Sequence, residues 1–182
     1  DPLDGTTNFL HGIPHFSISI ALERDGVPYA GVVYEPIHDE MYWAEKGSGA
    51  FLNGRRLRVS GRKEMGESVF STGIPFLGAK DHPQFLKELE AVMAVSAGVR
   101  RFGSAALDLA YVAAGRYDGF WETGLNAWDI AAGIVLVREA GGLVYEIDGG
   151  TKMLDSGNIL ATNSPLQTPL GKILRGANKT SK

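Results

Sequence analysis

The hydrophobic pattern changes style about a third of the way along the chain. From Phe16 to Leu22 apolar and small residues alternate with a period of two, the mark of a half-buried strand. Arg24-Asp25-Gly26 reads as a turn, and Val27 to Tyr34 as the returning strand. Met41 to Ala44 reads as a third. Ala50 to Leu52 and Arg55 to Val59 flank Asn53-Gly54, the strongest short hairpin signal. Residues 16–59 are therefore predicted to form an antiparallel meander.

After Ser60 short strands alternate with helices. The strands are predicted at Ser68 to Thr72, Val99 to Phe102, Gly119 to Glu122, Leu143 to Ile147 and Ile159 to Thr162. Pro83 opens a helix with Phe85, Leu86, Leu89, Val92 and Met93 on one face. Ser104 caps a helix from Ala105 to Ala114 that stops at Gly115. Trp128 to Ala140 is a third helix, closed by Gly141-Gly142. Leu170 to Leu174 begins a short final one, and the polar tail from Asn178 to Lys182 reads as frayed. Strands first and mixed elements after predict layered sheets with helices between them, an α/β arrangement. No repeat or linker divides the chain. One domain is expected over 1–182, with its meander in 1–60 and its mixed part in 61–182.

Composition removes several classes of function. The 182 residues are 44% hydrophobic and 21% charged, as in an ordinary globular domain. A net charge of −3 argues against a dedicated nucleic-acid binder, which would show a basic face. It leaves room for an anionic substrate if a bound divalent cation reverses the local field. There are no cysteines, so disulfides, thiolate zinc sites and cysteine nucleophiles are excluded together. No apolar run approaches the roughly 18 residues of a membrane span, and no basic-then-apolar leader opens the sequence. No membrane role is expected, and the cytoplasm is the expected location.

The chemistry is concentrated in the opening stretch, Asp-Pro-Leu-Asp-Gly-Thr-Thr. Asp1 and Asp4 flank a stiff proline bend and can converge on one point. Two like charges that close call for a cation between them, and a hard one such as Mg²⁺ suits carboxylate and carbonyl oxygens. Gly5-Thr6-Thr7 can bring backbone N–H groups close to a phosphate. Carboxylates for a metal beside amides for a phosphate suit metal-assisted ester hydrolysis. Asp-Pro and Asp-Gly are also common turn formers, which is the plainer explanation of these residues alone. Asp129, in the first turn of the helix at Trp128, is either a helix-capping acid or a third metal carboxylate. It follows Glu122-Thr-Gly124 at a strand end, where α/β layouts place ligands. Gly103-Ser104-Ala105-Ala106 is either an N-cap with small packing residues or a helix start facing a ligand.

Other candidates are weaker. His11 and His15 are separated by Gly12 and Pro14 and share no helix face, so no zinc pair is expected. Trp43, Trp121 and Trp128 read as core or pocket walls. Arg55, Arg56 and Arg58 read as an exposed hairpin face. Glu23, Glu35, Glu40 and Glu45 read as solvated strand and turn residues.

Taken together, Asp1 to Thr7, Trp128-Asp129-Ile-Ala-Ala-Gly133 and Glu-Ala-Gly-Gly at 139–142 resemble the inositol monophosphatase family of Mg²⁺-dependent, lithium-sensitive phosphatases. The resemblance runs in order along essentially the whole chain. It implies an inositol monophosphatase/fructose bisphosphatase-like α-β-α-β-α sandwich, and often a homodimer. It implies Asp1, Asp4 and Asp129 as metal ligands, with the Leu3 carbonyl as another. Gly5 and Thr6 would offer N–H groups to the phosphate, and the Thr6 hydroxyl would orient the attacking water. Asp4, Ala105, Glu122 and Asp129 would contact the hydroxyl-bearing part of the substrate. The implied reaction is direct hydrolysis of a small phosphate monoester without a phosphoenzyme. Asn8 after Asp-Gly-Thr-Thr points to the inositol phosphatase branch. Histidinol phosphate, phosphoadenosine phosphate and sugar phosphates are the alternatives, and a non-catalytic binding module is another. Family members have an N-terminal portion with a water-activating glutamate before the Asp-Pro motif. This chain starts at that motif, so it is expected to be a truncated fragment with impaired turnover.

Overall fold

A computed structural model describes residues 1–76, 78 and 81–179. The chain first makes a short helix, α1 (Thr6–Leu10), and then five strands: β1 (Ile18–Arg24), β2 (Val27–Glu35), β3 (Glu40–Glu45), β4 (Gly49–Leu52) and β5 (Arg55–Arg56). These form one sheet in sequence order, every neighbour antiparallel. The predicted meander is therefore present, and its turns carry the residues that tolerate left-handed backbone: Asp25-Gly26 and Asn53-Gly54.

The second part runs β6 (Val69–Thr72), α2 (His82–Met93), β7 (Gly98–Arg100), α3 (Ala105–Ala113), β8 (Gly119–Glu122), α4 (Ala127–Glu139), β9 (Leu143–Tyr145), α5 (Met153–Ser156), β10 (Ile159–Thr162) and α6 (Ser164–Lys179). Its sheet has the order β7-β6-β8-β10-β9. β6 is parallel to both β7 and β8, while β10 is antiparallel to β8 and β9.

Helices α3 and α4 pack against each other between the two sheets. α4 lies across β1 to β4, and α3 touches β6, β8 and β10. The main core fills this middle layer, with Leu107, Leu109, Phe120, Ile130, Ile134 and Leu136 essentially inaccessible to water. Burying each such side chain is worth about 1.5–3 kcal/mol. The layers meet closely: a Cβ on Gly31 of β2 would come within 2.6 Å of the Ala132 Cα on α4. Beyond the second sheet, α2 and α6 pair over a second core of Phe70, Val92, Trp121, Leu160, Leu166 and Leu170. The result is a layered α/β sandwich, as expected. Four layers are present among the described residues, in the order sheet, helices, sheet, helices. The outer face of the first sheet carries Ile18, Ile20 and Leu22, all exposed, beside Trp43 stacked on Phe51.

Several local expectations change. α1 was not anticipated. Four of its five residues, Thr6 to Phe9, are poor helix formers, and it is held by a buried side chain: Asn8 donates to the carbonyls of His15 (2.8 Å) and Phe102 (2.7 Å). The final helix is longer than Leu170–Leu174. Asn163 accepts from Leu166 N–H at its start, and Pro165 sits in the first turn, where no partner is lost. Asn178 and Lys179 lie within α6, and the rest of the tail predicted to fray lies outside the described residues. On α2 the buried face is set by Glu88 and Val92, while Leu86 and Met93 are exposed. Glu35 is buried, not solvated: it accepts from the Ile37 and His38 amides and bonds the His38 ring. Glu40 is half-buried in a pair with Arg116. Trp121 is core and Trp128, though exposed, lines a groove beside β1, both within the reading as core or pocket walls.

Candidate active site

The opening motif folds on itself before it meets the rest of the protein. Asp1 Oδ1 accepts from Leu3 N–H at 2.8 Å, closing a turn over Pro2. Asp4 then pairs with Ser17 through two backbone hydrogen bonds of 2.9 Å each. Gly5 turns the chain into α1 with φ 92°, a left-handed conformation that disfavours a Cβ, and one there would also press on His15 O at 3.0 Å. Thr6 donates its hydroxyl to the Leu3 carbonyl at 2.8 Å. The N–H groups of Gly5 and Thr6 donate to no described residue.

Asp1, Asp4 and Asp129 meet. One carboxylate oxygen from each lies within 4.8 Å of the others. In each case the protein uses one oxygen and leaves the second without a hydrogen bond from any described residue. Asp1 commits Oδ1 to Leu3. Asp4 commits Oδ2 to the Ser104 hydroxyl (2.6 Å) and the Ala106 N–H (2.8 Å). Asp129, the third residue of α4, commits Oδ2 to the Asn126 N–H at 2.8 Å. The capping explanation of Asp129 holds for one oxygen, and the other oxygen is spare. Burial pushes the Asp4 carboxyl up, Ser104 and Ala106 oppose this, and nearby Asp129 adds to the rise. Three carboxylates with spare oxygens at this spacing repel one another unless a cation joins them, so the residues present fit a hard divalent ion.

Beside Asp129 a cavity of about 410 Å³ opens between the end of β8, the start of α4 and the segment after β6. Glu122 and Asp129 line it, and Phe76, Phe85 and Trp121 add apolar surface. Burial, with Asp4 and Asp129 nearby and Arg101 opposing, pushes Glu122 up to about 8. Glu88, also on its lining, is pushed up to about 7 by burial, although Trp121 Nε1 donates to it. Ala105 is the first residue of α3, and its N–H donates to no described residue. Behind it Asp108 is fully buried, its carboxyl held well above the usual range by that burial, and its Oδ1 has no hydrogen bond from a described residue.

The structure thus brings Asp1, Asp4 and Asp129 to one point. It ties Thr6 to Leu3, and sets Ala105 at the helix start that binds Asp4. Ser104 had been read only as a helix cap or part of a ligand-facing turn; its bond to Asp4 spans 100 residues and has no local signal. A helix start placed at Trp128, one residue late, hides the role of Asn126 as its N-cap. The Asn-x-x-Asp spacing is the available signal. His11 and His15 join no group of three metal-binding side chains among the described residues.

The profile of the Inositol monophosphatase family matches residues 1–179. The chain belongs to that family. It is 62% identical to an inositol-1-monophosphatase of Mesorhizobium japonicum over 175 residues, covering 96% of this chain and 66% of the relative. It is 51% identical over 166 residues to a Nus factor SuhB of Pseudomonas aeruginosa, covering 90% of this chain and 61% of that one. The crystal structure of extragenic suppressor protein suhB from Bartonella henselae superposes with a TM-score of 0.94 at 56% identity, over 96% of this chain and 67% of the other. The chain thus spans about two thirds of the length of the curated relatives it matches.

Proposed function

We propose that this chain carries the metal and substrate groups of a Mg²⁺-dependent phosphatase that hydrolyses a small phosphate monoester, inositol monophosphate above all. The observation that carries the reading is the trio Asp1, Asp4 and Asp129, converging within 4.8 Å with one oxygen of each uncommitted. Those oxygens and the Leu3 carbonyl, which keeps a lone pair after accepting from Thr6, would hold Mg²⁺. When bound, the ion would offset the clustered charge, polarise the ester and acidify a water.

The chain's own groups do the remaining work. Gly5 and Thr6 offer free N–H groups to phosphate oxygens. Thr6 spends its proton on Leu3, so its oxygen is left to accept from a water and orient it. Asp4, Glu122, Asp129 and the Ala105 N–H receive the hydroxyls of the departing alcohol.

The test is Mg²⁺-dependent phosphate release by the full-length protein from inositol 1-phosphate, histidinol phosphate, fructose 1,6-bisphosphate and phosphoadenosine phosphate. Release from inositol 1-phosphate, lost on chelation, is expected. Preference for another ester would move the substrate and keep the chemistry. The same reading takes the protein as a lithium-sensitive homodimer in the cytoplasm, and its mass in solution tests the dimer. Relatives named Nus factor SuhB favour a second reading, a binding role without turnover. A wild type that binds Mg²⁺ but releases phosphate from none of the four esters would favour that second reading.

A further inference from the structure

We infer that Gly73 is a positioning residue for Glu122, and through it a determinant of which alcohol the site accepts. This rests on the reading above, in which Glu122 meets the hydroxyl-bearing part of the substrate. β6 ends at Thr72 and β8 at Glu122, and the two strands are parallel neighbours with Thr72 opposite Trp121. Gly73 and Glu122 therefore leave the sheet side by side, at the same end. A Cβ built on Gly73 would overlap Glu122 Oε1, Cδ and Oε2. The carboxyl group fills the space in which any other residue would begin its side chain.

Nothing in the backbone itself asks for glycine here. Gly73 is not among the residues with positive φ, so alanine could adopt its conformation. The demand comes from the neighbour. Glu122 accepts or donates no hydrogen bond with a described residue and feels Arg101 only as an unbonded charge, so shape leads its placement: β8 carries it, Gly73 lies beside it and the cavity adjoins it. A single added methyl would push the carboxyl into the cavity that it shares with Asp129. The displaced atoms are the end of a flexible side chain, so Gly73→Ala moves Glu122 more readily than it unfolds the sheet.

The experiment compares wild type, Gly73→Ala, Glu122→Gln and the double variant of the full-length protein. The substrates are inositol 1-phosphate and p-nitrophenyl phosphate, which has no aliphatic hydroxyl for Glu122 to hold. Gly73→Ala is expected to raise KM for inositol 1-phosphate on the order of tenfold and to affect p-nitrophenyl phosphate much less. The double variant should be no worse than Glu122→Gln, because both changes act on one contact. Equal losses on both substrates, full additivity, or wild-type behaviour of Gly73→Ala would each overturn the inference. If Gly73→Ala fails to fold, pairing it with Glu122→Asp, whose shorter side chain withdraws from the overlap, should restore folding; failure there also overturns it. A wild type inert towards both esters would instead refute the reading of the site. The crystal structure of Gly73→Ala then decides the inference, and an unmoved Glu122 carboxyl sinks it.

Discussion

The first turns of α3 and α4 each take one oxygen of an aspartate out of play. At α4 the aspartate is local: Asp129 reaches back three residues to the Asn126 N–H. At α3 it comes from far away: Asp4 is bound by Ser104 and Ala106, 100 and 102 residues later. Both helix starts stabilise a negative charge by the same dipole and the same unsatisfied N–H groups. They differ in what fixes the aim of the carboxylate. Asp129 is aimed by its own helix. Asp4 is aimed only once the first sheet has docked on α3. A site made from one acid of each kind therefore depends on local geometry on one side and on tertiary packing on the other.

The largest expected effect falls on both sides equally. Asp4→Asn and Asp129→Asn should each lower turnover on the order of a thousandfold or more, since each removes a charge that holds the cation. A residual rate near wild type for one of them, in a steady-state phosphate assay, would remove that residue from the site.

The caps should separate the two. Ser104→Ala deletes a hydroxyl that both caps α3 and grips Asp4, so Mg²⁺ affinity read by calorimetry should fall about 10-fold or more, with Ser104→Thr restoring it. Asn126→Ala keeps the 2.8 Å backbone N–H bond that holds Asp129 and loses only the longer side-chain bond of 3.4 Å, so Mg²⁺ affinity should change far less, with a stability loss of about 1 kcal/mol or under. Equal losses of affinity at the two caps would dissolve the distinction.

The smallest effect is a slope. Glu88 and Glu122 are raised to about 7 and about 8 in the folded protein. A raised carboxyl favours folding while it stays protonated, and that contribution is lost as pH rises through the folded value. The melting temperature of the metal-free protein should thus fall as pH rises from the ordinary carboxyl value of 4.5 to about 8, and level off above it. Glu88→Gln should flatten part of the fall. A melting temperature that climbs across this window would contradict the sign.

The same contrast explains what could be read in advance. The meander was legible because its strands alternate in period two and its turns carry Asp-Gly and Asn-Gly. The start of α4 was nearly legible, because a capping residue and its acid are three positions apart. The grip of Ser104 on Asp4 was not, and neither was α1, whose five residues have no periodicity to show and are held through Asn8 by the carbonyls of His15 and Phe102 outside the helix. The buried acids Glu35 and Glu88 escaped for a related reason. Their partners are turn amides in one case and a tryptophan on another element in the other, and charge alone argues for the surface.

The bridge between Asp4 and Ser17, and its bond to the start of α3, also bear on the order in which the molecule assembles. The meander is made of neighbours and can close early, since short loops cost little entropy. Asp4 can reach Ser104 only after that meander meets a helix formed from the second half of the chain. During refolding, native secondary structure would come first and competence to hold a cation late, with the final docking of the two sheets about α3 and α4.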